Sequence, residues 1–455
     1  MASSLKRRPY WLDMIDGQGA ATAEGTFGSA APDAARVPAS ADAVVIGAGL
    51  TGLSAAHGLS KRGASVVVLE AHDTGWGASS RNGGMVLTGL KLGPHELVAK
   101  YGVKEARTLD AASIDAIDFL ERLIREEQIA CDFMRCGHLA LASKPAHYEQ
   151  FKRDAALVSR EFGRPARLVA PEDLGEEIGS HSYYGALVDD ASAGVNPAKL
   201  VRGLASAAQR AGATVCEQTP VLSVHRRANG ASPNFSVTYG GASSRRSAVN
   251  NAVTAGAVVV ATGAYTGVES PWLQRRIVPI GSYIIATAPL SEVLARAISP
   301  RNRMMYDSKR FLHYFRLTPD RRMLFGGRAS FVPESERAIA ESAEILRRDM
   351  NALFPQMQDV AVDYAWGGTI DFTADMLPHA GVIDGIHYAA GFAGHGVALA
   401  TYLGAKLAAM IAGNAKADNP FMRRRFISPP LGAHRIVRGL VPAVGAWYRF
   451  LDAVS

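Results

Sequence analysis

The sequence predicts a mixed α/β fold of two interwoven domains, one built on a parallel sheet and the other on a large, mostly antiparallel sheet. A strand, a glycine turn, a helix and a second strand follow one another within residues 41–70. Strand-like, aromatic-rich segments recur between 277 and 330, and a strand leading through glycines into a helix returns at 385–413. With 455 residues, the chain is also long for a single hydrophobic core.

The order of these patterns predicts discontinuous domains. Residues 1–40 are rich in Ala, Gly, Ser and Pro after Trp11 and are interpreted as an arm or linker. The nucleotide-binding domain is expected in three pieces and the substrate domain in two, and a basic tail ends the chain. The expected ranges are 41–105, 190–270 and 366–425 for the first domain, 106–189 and 271–365 for the second, and 426–455 for the tail.

Composition is typical of a soluble globular protein, with 48% hydrophobic and 20% charged residues. The net charge of +7 comes from scattered arginines, and no basic stripe interleaved with aromatics indicates nucleic-acid binding. The odd set of Cys131, Cys136 and Cys216 fits no metal-ligand spacing, so we expect no metal and a reducing, cytoplasmic location. The sequence has no run of about 18 apolar residues, so we expect no membrane-spanning helix.

The segment "GAGLTG" places Gly47, Gly49 and Gly52 in a GxGxxG pattern between a strand and a helix, and Glu70 ends the next strand. This context predicts dinucleotide binding: the glycines allow a tight turn, close approach to a pyrophosphate and packing of the helix on the strand. The helix N-terminus attracts phosphate, and the carboxylate accepts bonds from ribose hydroxyls. A carboxylate disfavours NADP, while NAD and FAD both remain open.

Three further glycine segments favour FAD, which is longer than NAD and must extend towards a second domain. They are "AHDTGWGASSRNGG" at 71–84, "VVVATGAY" at 258–265 and "YAAGFAGHGVALATY" at 388–402. The first two follow strands that end at the cofactor edge of the sheet. The third opens a helix whose N-terminus stabilises the negative charge of a reduced flavin.

At these segments the sequence resembles the glycine/D-amino-acid oxidase (DAO) family of FAD enzymes, in particular its γ-glutamylputrescine oxidoreductase branch. The resemblance runs from about residue 40 to 425 and includes "GWGASSRNGG", "WGGTIDFTADMLPHAG" and "GFAGHGVALATYLGAKLAAMIAG". It departs from the branch at Ser80, where Gly is usual, and at Met85, where Gln is usual. Relative to family members that attach FAD covalently, the chain lacks a Cys beyond residue 217 and a His in 73–85, so we expect non-covalent FAD.

The resemblance implies a Rossmann-like FAD-binding domain and a substrate domain over the flavin. The implied FAD contacts are Gly47, Gly49, Leu50, Thr51, Gly52, Glu70, Ala71, Gly77, Ala78, Ser79, Ser80, Arg81, Asn82, Gly83, Gly84, Met85, Val221, Ala261, Thr262, Gly263, Gly391, Phe392, Gly394, His395, Gly396 and Val397. The separate contributions of Trp76 and Arg81 stay open between packing, loop support and phosphate contact.

The resemblance also implies oxidation of an amine or amino-acid C–N bond to an imine, by hydride transfer to flavin N5, with O₂ as the usual electron acceptor. On a strand, Tyr314 and Arg316 share one face and His313 and Phe315 the other, so Arg316 is a candidate partner for a substrate carboxylate. His395 is a candidate acceptor for the amine proton, and a backbone carbonyl could serve equally well. The substrate pocket is expected to include Tyr314, Tyr283 and Trp366.

Two other functions remain as alternatives. One is an FAD dehydrogenase that passes electrons to a quinone or carrier, with the basic tail touching a membrane surface. The other is a tRNA-modifying flavoprotein. The positive net charge is compatible with this function, but the sequence contains no RNA-binding motif, which disfavours it.

Overall fold

The structure is a computed structural model that describes residues 5–18, 37–227, 234–240, 251–330, 335–414 and 419–428. Its strands in chain order are β1 (Ser40–Ile46), β2 (Val66–Leu69), β3 (Met85–Val86), β4 (His138–Leu141), β5 (Arg167–Val169), β6 (Ala186–Asp189), β7 (Ala193–Gly194), β8 (Thr214–Cys216), β9 (Val221–Arg226), β10 (Phe235–Tyr239), β11 (Asn251–Val260), β12 (Val278–Thr287), β13 (Met304–Asp307), β14 (Tyr314–Leu317), β15 (Met323–Ser330), β16 (Val362–Phe372), β17 (His379–Ile383) and β18 (Ile386–Ala390).

Its α-helices are α1 (Tyr10–Gln18), α2 (Leu50–Ser60), α3 (Ala78–Arg81), α4 (Pro94–Tyr101), α5 (Val103–Glu126), α6 (Pro145–Leu157), α7 (Pro197–Arg210), α8 (Pro271–Gln274), α9 (Glu292–Ile298), α10 (Glu336–Leu353) and α11 (Gly396–Ile411). Several begin where the sequence supplies a cap. The Asn196 side chain accepts a bond from the Lys199 amide at the start of α7, and Ser335 does the same for Ala338 in α10.

The first sheet has a parallel centre, in which β18, β11, β1, β2 and β8 are neighbours in that order. β17 pairs antiparallel with β18, while β10 and β9 extend antiparallel from β11. The carboxyl ends of β1, β2, β11 and β18 therefore meet at one edge of the sheet. Each of the four glycine segments singled out in the sequence starts at that edge, where α/β sheets bind their ligands.

The second sheet has the order β16-β12-β15-β14-β13-β4-β6-β5 and is antiparallel except between β13 and β4. One face packs under α10 around Phe315, Phe325 and Leu346. The opposite face contacts α1 and α3, so the loop after β2 lies against this second sheet. The predicted fold class, a parallel nucleotide-binding sheet combined with a large antiparallel one, is confirmed.

Helices α2, α5, α7 and α11 cover one face of the first sheet. Close packing of α11 on α2 depends on small residues, because a Cβ on Gly404 would collide with the carbonyl oxygen of Thr51, and one on Gly58 would lie 2.8 Å from the Ala408 Cβ. The other face of the sheet packs against β10 and its neighbours through Val44, Val67 and Phe235.

The N-terminal segment differs from the predicted linker. Residues Tyr10–Gln18 form a helix, and the side chains of Tyr10 and Trp11 are almost fully buried in a cluster with Trp366. The low-complexity composition that predicts a linker belongs to the residues after this helix. Residues 19–36 lie outside the described part of the chain, as do residues 429–455 of the predicted basic tail.

Candidate functional site

The first glycine turn has the geometry that its sequence predicts. Gly47 has φ +102°, and a Cβ there would lie 2.9 Å from the Ala261 carbonyl oxygen. A Cβ on Gly52 would collide with the Gly47 carbonyl oxygen and approach Val45 to 3.1 Å. Side chains are thus excluded at both positions, one by the turn and one by the packing of α2 on β1.

The carboxylate of Glu70 holds the backbone beside this turn. It accepts bonds from the amides of Ala48 at 2.7 Å and His72 at 2.9 Å. The backbone of Glu70 also pairs with the segment that leads to Val221, through the Cys216 carbonyl and the Thr219 amide. The structure therefore brings Glu70 and the strand of Val221 together, as the predicted adenosine-binding edge requires.

The second loop is connected to the first through Ser79. Its hydroxyl oxygen accepts a bond from the Leu50 amide at 3.0 Å, at the start of α2. A Cβ on Gly49 would lie 2.9 Å from the same oxygen. Ser80, by contrast, is fully buried and donates to the Gly75 carbonyl, so this departure from the branch turns its hydroxyl into the loop.

Trp76 and Arg81 support the loop from within. The Trp76 ring stacks on His72 with centroids 4.0 Å apart and meets Tyr265 edge-on at 5.3 Å. The Arg81 guanidinium lies over the Trp76 ring, donates from Nε to the Trp76 carbonyl at 2.8 Å and reaches the Gly367 carbonyl at 3.3 Å. These bonds fit the loop-support role that the sequence leaves open for Arg81.

A buried carboxylate that the sequence analysis missed organises the third and fourth segments. Asp371 of β16 accepts bonds from the amides of Gly391 at 2.6 Å and Phe392 at 3.3 Å. A Cβ on Gly263 would lie 3.6 Å from the same carboxylate. Burial raises the pKa of Asp371 to about 6, although the hydrogen bonds from the two amides act in the opposite direction and lower it. An acidic residue inside the apolar strand "GTIDF" is the sequence signal that marks it.

At the N-termini of α2 and α11 the cap residues, Gly49 and His395, make no side-chain bond to the first turn, and in α2 the Ser79 hydroxyl accepts the Leu50 amide. Such ends carry free amides and partial positive charge, which an anionic cofactor satisfies. The Nδ1 atom of His395 is buried and has no hydrogen-bond partner among the described residues. The glycine cradle, the helix ends and this unpartnered nitrogen fit FAD: the start of α2 would hold its phosphates, and the start of α11 would hold its flavin.

His395 is held neutral in this setting. Burial lowers the pKa of the imidazole to about 4, and the nearby positive charge of Lys91 adds to the shift. Lys91, which follows β3, is exposed to solvent, yet desolvation by neighbouring groups lowers the pKa of its ammonium. The sequence analysis did not select Lys91, whose only signal is a lysine between Leu90 and Leu92.

Tyr314 occupies the face of the second sheet that was predicted for it. Its ring lies against Gly83, where a Cβ would be 3.3 Å from the tyrosine Cε2, and its hydroxyl contacts the Ser282 hydroxyl at 3.1 Å. Burial raises the pKa of Tyr314 to about 12. Phe315 and His313 point to the opposite face, where Phe315 stacks on Phe325. Ser282 is a polar neighbour that the sequence analysis missed.

Arg316 shares that face with Tyr314, but its partners differ from the predicted substrate carboxylate. The guanidinium is buried, and its Nη1 donates to the carbonyls of Gly84 at 2.9 Å and Val195 at 3.0 Å. Burial lowers the pKa of Arg316 to about 10, which leaves it charged at neutral pH. The geometry makes it a support for the second loop, because its Nη1 holds the Gly84 carbonyl and its Nε donates to the Leu317 carbonyl.

Two other pocket candidates also lie elsewhere. Tyr283 is almost fully buried on the same face of the sheet as Phe315. Because side chains alternate along a strand, Ser282 and Ile284 lie on the opposite face, beside the second loop. Trp366 is on the loop side but is packed into the core, and its indole Nε1 donates to the Arg81 carbonyl at 2.8 Å. Neither placement fits a side chain that lines a substrate pocket.

The fold and the site together define an FAD-dependent oxidoreductase. Residues 42–410 match the DAO family of FAD-dependent oxidoreductases, and the chain belongs to that family. It is 33% identical over 419 residues to the probable oxidoreductase OrdL of Haemophilus influenzae, covering 90% of this chain and 92% of that protein. It is 31% identical over 409 residues to the gamma-glutamylputrescine oxidoreductase of Escherichia coli, covering 90% and 91%.

Among solved structures, the glycine oxidase from Geobacillus kaustophilus superimposes with a TM-score of 0.68 at 21% identity, covering 86% of this chain and all of that one. This likeness establishes the shared fold. Among the described residues, no helix combines the length and the apolarity needed to cross a membrane.

Proposed function

We propose that this chain oxidises a C–N bond of a primary or secondary amine or amino acid to an imine, which water hydrolyses, and that O₂ reoxidises the flavin. A γ-glutamyl amine is one candidate substrate, in line with the name of the Escherichia coli relative. The observation that carries the proposal is the packing of the Tyr314 ring against Gly83 of the second loop, with the Tyr314 hydroxyl bonded to the Ser282 hydroxyl. This gives the face of the second sheet beside that loop a half-buried polar pair.

FAD, when bound, supplies the acceptor for a hydride from the carbon next to nitrogen. The protein's task is then orientation and control of the amine proton. Tyr314 stays protonated at neutral pH, since burial raises its pKa to about 12, and its hydroxyl can donate to substrate. His395 stays neutral, because its pKa is lowered to about 4, and its Nδ1 can accept a hydrogen bond from the neutral amine.

Lys91 replaces Arg316 as the candidate partner for a substrate carboxylate. Its charge acts on His395, whereas the Arg316 guanidinium is bonded to the Gly84 and Val195 carbonyls. Lys91→Met is expected to raise KM about tenfold or more for an amine that carries a carboxylate, and to change KM little for one that lacks it. Lys104→Met, on the exposed surface of α5, is the matched control. An equal change in KM for both amines would contradict this role.

The decisive experiment is anaerobic bleaching of bound flavin at about 450 nm by a panel of γ-glutamyl polyamines, N-methyl amino acids, glycine and D-amino acids. Bleaching by an amine, followed by peroxide when air is admitted, is the expected result. Bleaching without peroxide in air would favour the dehydrogenase alternative, and no bleaching by any amine would contradict the proposal.

Non-covalent attachment and a cytoplasmic location complete the proposal. No disulfide joins Cys131, Cys136 and Cys216, and burial raises the pKa of each thiol, which keeps them unreactive. Acid precipitation should therefore release the yellow cofactor into the supernatant, and flavin retained in the pellet would contradict this part.

A further inference from the structure

The N-terminal segment is joined to the second sheet at its edge. Lys6 forms a parallel bridge with Tyr364 of β16: its amide donates to the Asp363 carbonyl at 2.8 Å, and its carbonyl accepts from the Ala365 amide at 3.0 Å. The Tyr364 hydroxyl then donates to the Asp13 carboxylate of α1 at 2.8 Å. These bonds fix where α1 begins and which of its side chains face inward.

Trp11 is the inward side chain that reaches the second loop, residues 71–84. It is fully buried, and its indole Nε1 donates to the Asn82 carbonyl at 2.9 Å. Trp366 donates to the preceding carbonyl, that of Arg81, at 2.8 Å, and Arg316 donates to the Gly84 carbonyl at 2.9 Å. Side chains from outside the loop therefore fix the carbonyls of residues 81, 82 and 84.

Fixing these carbonyls also fixes the amides of the same peptide planes. In a trans peptide, the carbonyl of one residue and the N–H of the next point in opposite directions. The bond from Trp11 therefore turns the Gly83 amide away from α1, and the bond from Trp366 does the same for the Asn82 amide. Each amide therefore points away from the indole that holds the carbonyl of its own peptide plane.

We propose that Trp11 is a positioning residue for FAD: by holding the Asn82 carbonyl, it presents the Gly83 amide to the cofactor and so sets the affinity and the reduction potential of the bound flavin. The proposal rests on the FAD site that the proposed function also uses, but not on the identity of the amine. A segment expected to be a linker thus becomes part of the cofactor site, and one indole N–H carries the effect.

The test compares Trp11→Phe with Tyr10→Phe. The first removes the N–H and keeps an aromatic ring. The second removes a buried hydroxyl bonded to Asp320 and leaves the loop contact intact, so it controls for the stability of α1. FAD is titrated into apoprotein without amine, the reduction potential of bound flavin is measured, and the unfolding of each apoprotein is followed in urea.

For Trp11→Phe we expect a Kd for FAD about tenfold higher than in the unaltered protein, as the loss of one buried hydrogen bond predicts, together with a shifted reduction potential. Tyr10→Phe should leave both values unchanged. Equal Kd values and potentials in the two variants would overturn the proposal, even if no amine reduces the flavin.

If the smaller ring destabilises the fold, 3-benzothienylalanine at position 11 replaces it, because this residue keeps the shape of Trp and puts sulfur in place of the N–H. An unchanged Kd and an unchanged potential in that protein would equally overturn the role of Trp11, whereas the same shifts as in Trp11→Phe would support it.

Discussion

The Asp371 carboxylate accepts the Gly391 amide at 2.6 Å and thereby links the edge strand of the second sheet to the turn before α11. The Phe392 amide donates to the same carboxylate, and the Ala393 amide donates to the Asp371 backbone carbonyl at 3.0 Å. Three successive amides of the turn are thus held by one residue. The position of the α11 N-terminus relative to the second sheet depends on this contact.

Replacing Asp371 should weaken cofactor binding in graded steps. Asp371→Ala removes both acceptor oxygens, and we expect the Kd for FAD to rise about 10- to 100-fold, the cost of losing charged hydrogen bonds in a buried site. Asp371→Asn keeps one acceptor and should have a smaller effect. Titration of apoprotein with FAD measures both, with Asp359→Asn on the exposed surface as control. A Kd for Asp371→Ala equal to that of the control would show that the turn before α11 keeps its conformation without this carboxylate.

The same carboxylate should make the stability of the apoprotein fall as pH rises. Burial raises the pKa of Asp371 to about 6, above the ordinary value of 3.8 that applies in the unfolded chain. The folded state therefore binds this proton more tightly than the unfolded chain does. The contribution of the protonated carboxyl to stability is complete below about pH 4 and is lost as pH rises through about 6. At pH 7 the loss is on the order of 2–3 kcal/mol, since one pKa unit corresponds to about 1.4 kcal/mol.

Urea unfolding of the apoprotein and of Asp371→Asn between pH 4 and pH 7 measures this difference. The free energy of unfolding of the unaltered protein, minus that of the variant, should decrease with increasing pH across this window. A difference that stays constant, or that grows with pH, would contradict the raised pKa.

Steric exclusion at Gly52 gives a third prediction. A Cβ there would collide with the Gly47 carbonyl oxygen, so Gly52→Ala must displace either the turn or α2. We expect a loss of about 2 kcal/mol or more in the free energy of unfolding and purification largely without FAD. Gly175→Ala, where a Cβ would meet nothing within 4 Å, is the matched control and should be neutral in both measurements. A variant at position 52 that retains full flavin content would show that the pattern is not a steric requirement.

The sequence predicted the first sheet and its cofactor edge well because local signals define them. The turn around Gly47 and Gly52 and the apolar strands beside it are readable within a few residues, and the structure has them as predicted. The face shared by Tyr314 and Arg316 also follows from strand alternation alone. Strand alternation does not predict which residues of other elements these two side chains contact.

The misses all depend on contacts between distant parts of the chain. Arg316 was assigned a substrate carboxylate, whereas its partners are carbonyls of Gly84 and Val195, far away in sequence. The helix at Tyr10–Gln18 was interpreted as part of a linker because the residues after it dominate the composition, although the pair Tyr10 and Trp11 is an aromatic signal that an unstructured arm rarely carries.

A last prediction concerns the pH dependence of flavin reduction. Burial and the charge of Lys91 lower the pKa of His395 to about 4, from an ordinary value of 6.5, so the imidazole is neutral at every pH above about 5. The rate of anaerobic flavin reduction by a saturating amine should therefore show no step near pH 6.5. It should instead rise with the loss of the substrate ammonium proton, whose free pKa is about 10.

His395→Asn should lower this rate without moving its pH dependence, and His225→Asn, on an exposed strand position, should leave both unchanged. Stopped-flow absorbance between pH 5.5 and pH 9.5 measures the three profiles. A step near pH 6.5 that is present in the unaltered protein and absent from His395→Asn would mean that the histidine titrates as a solvent-exposed base, and would contradict its lowered pKa.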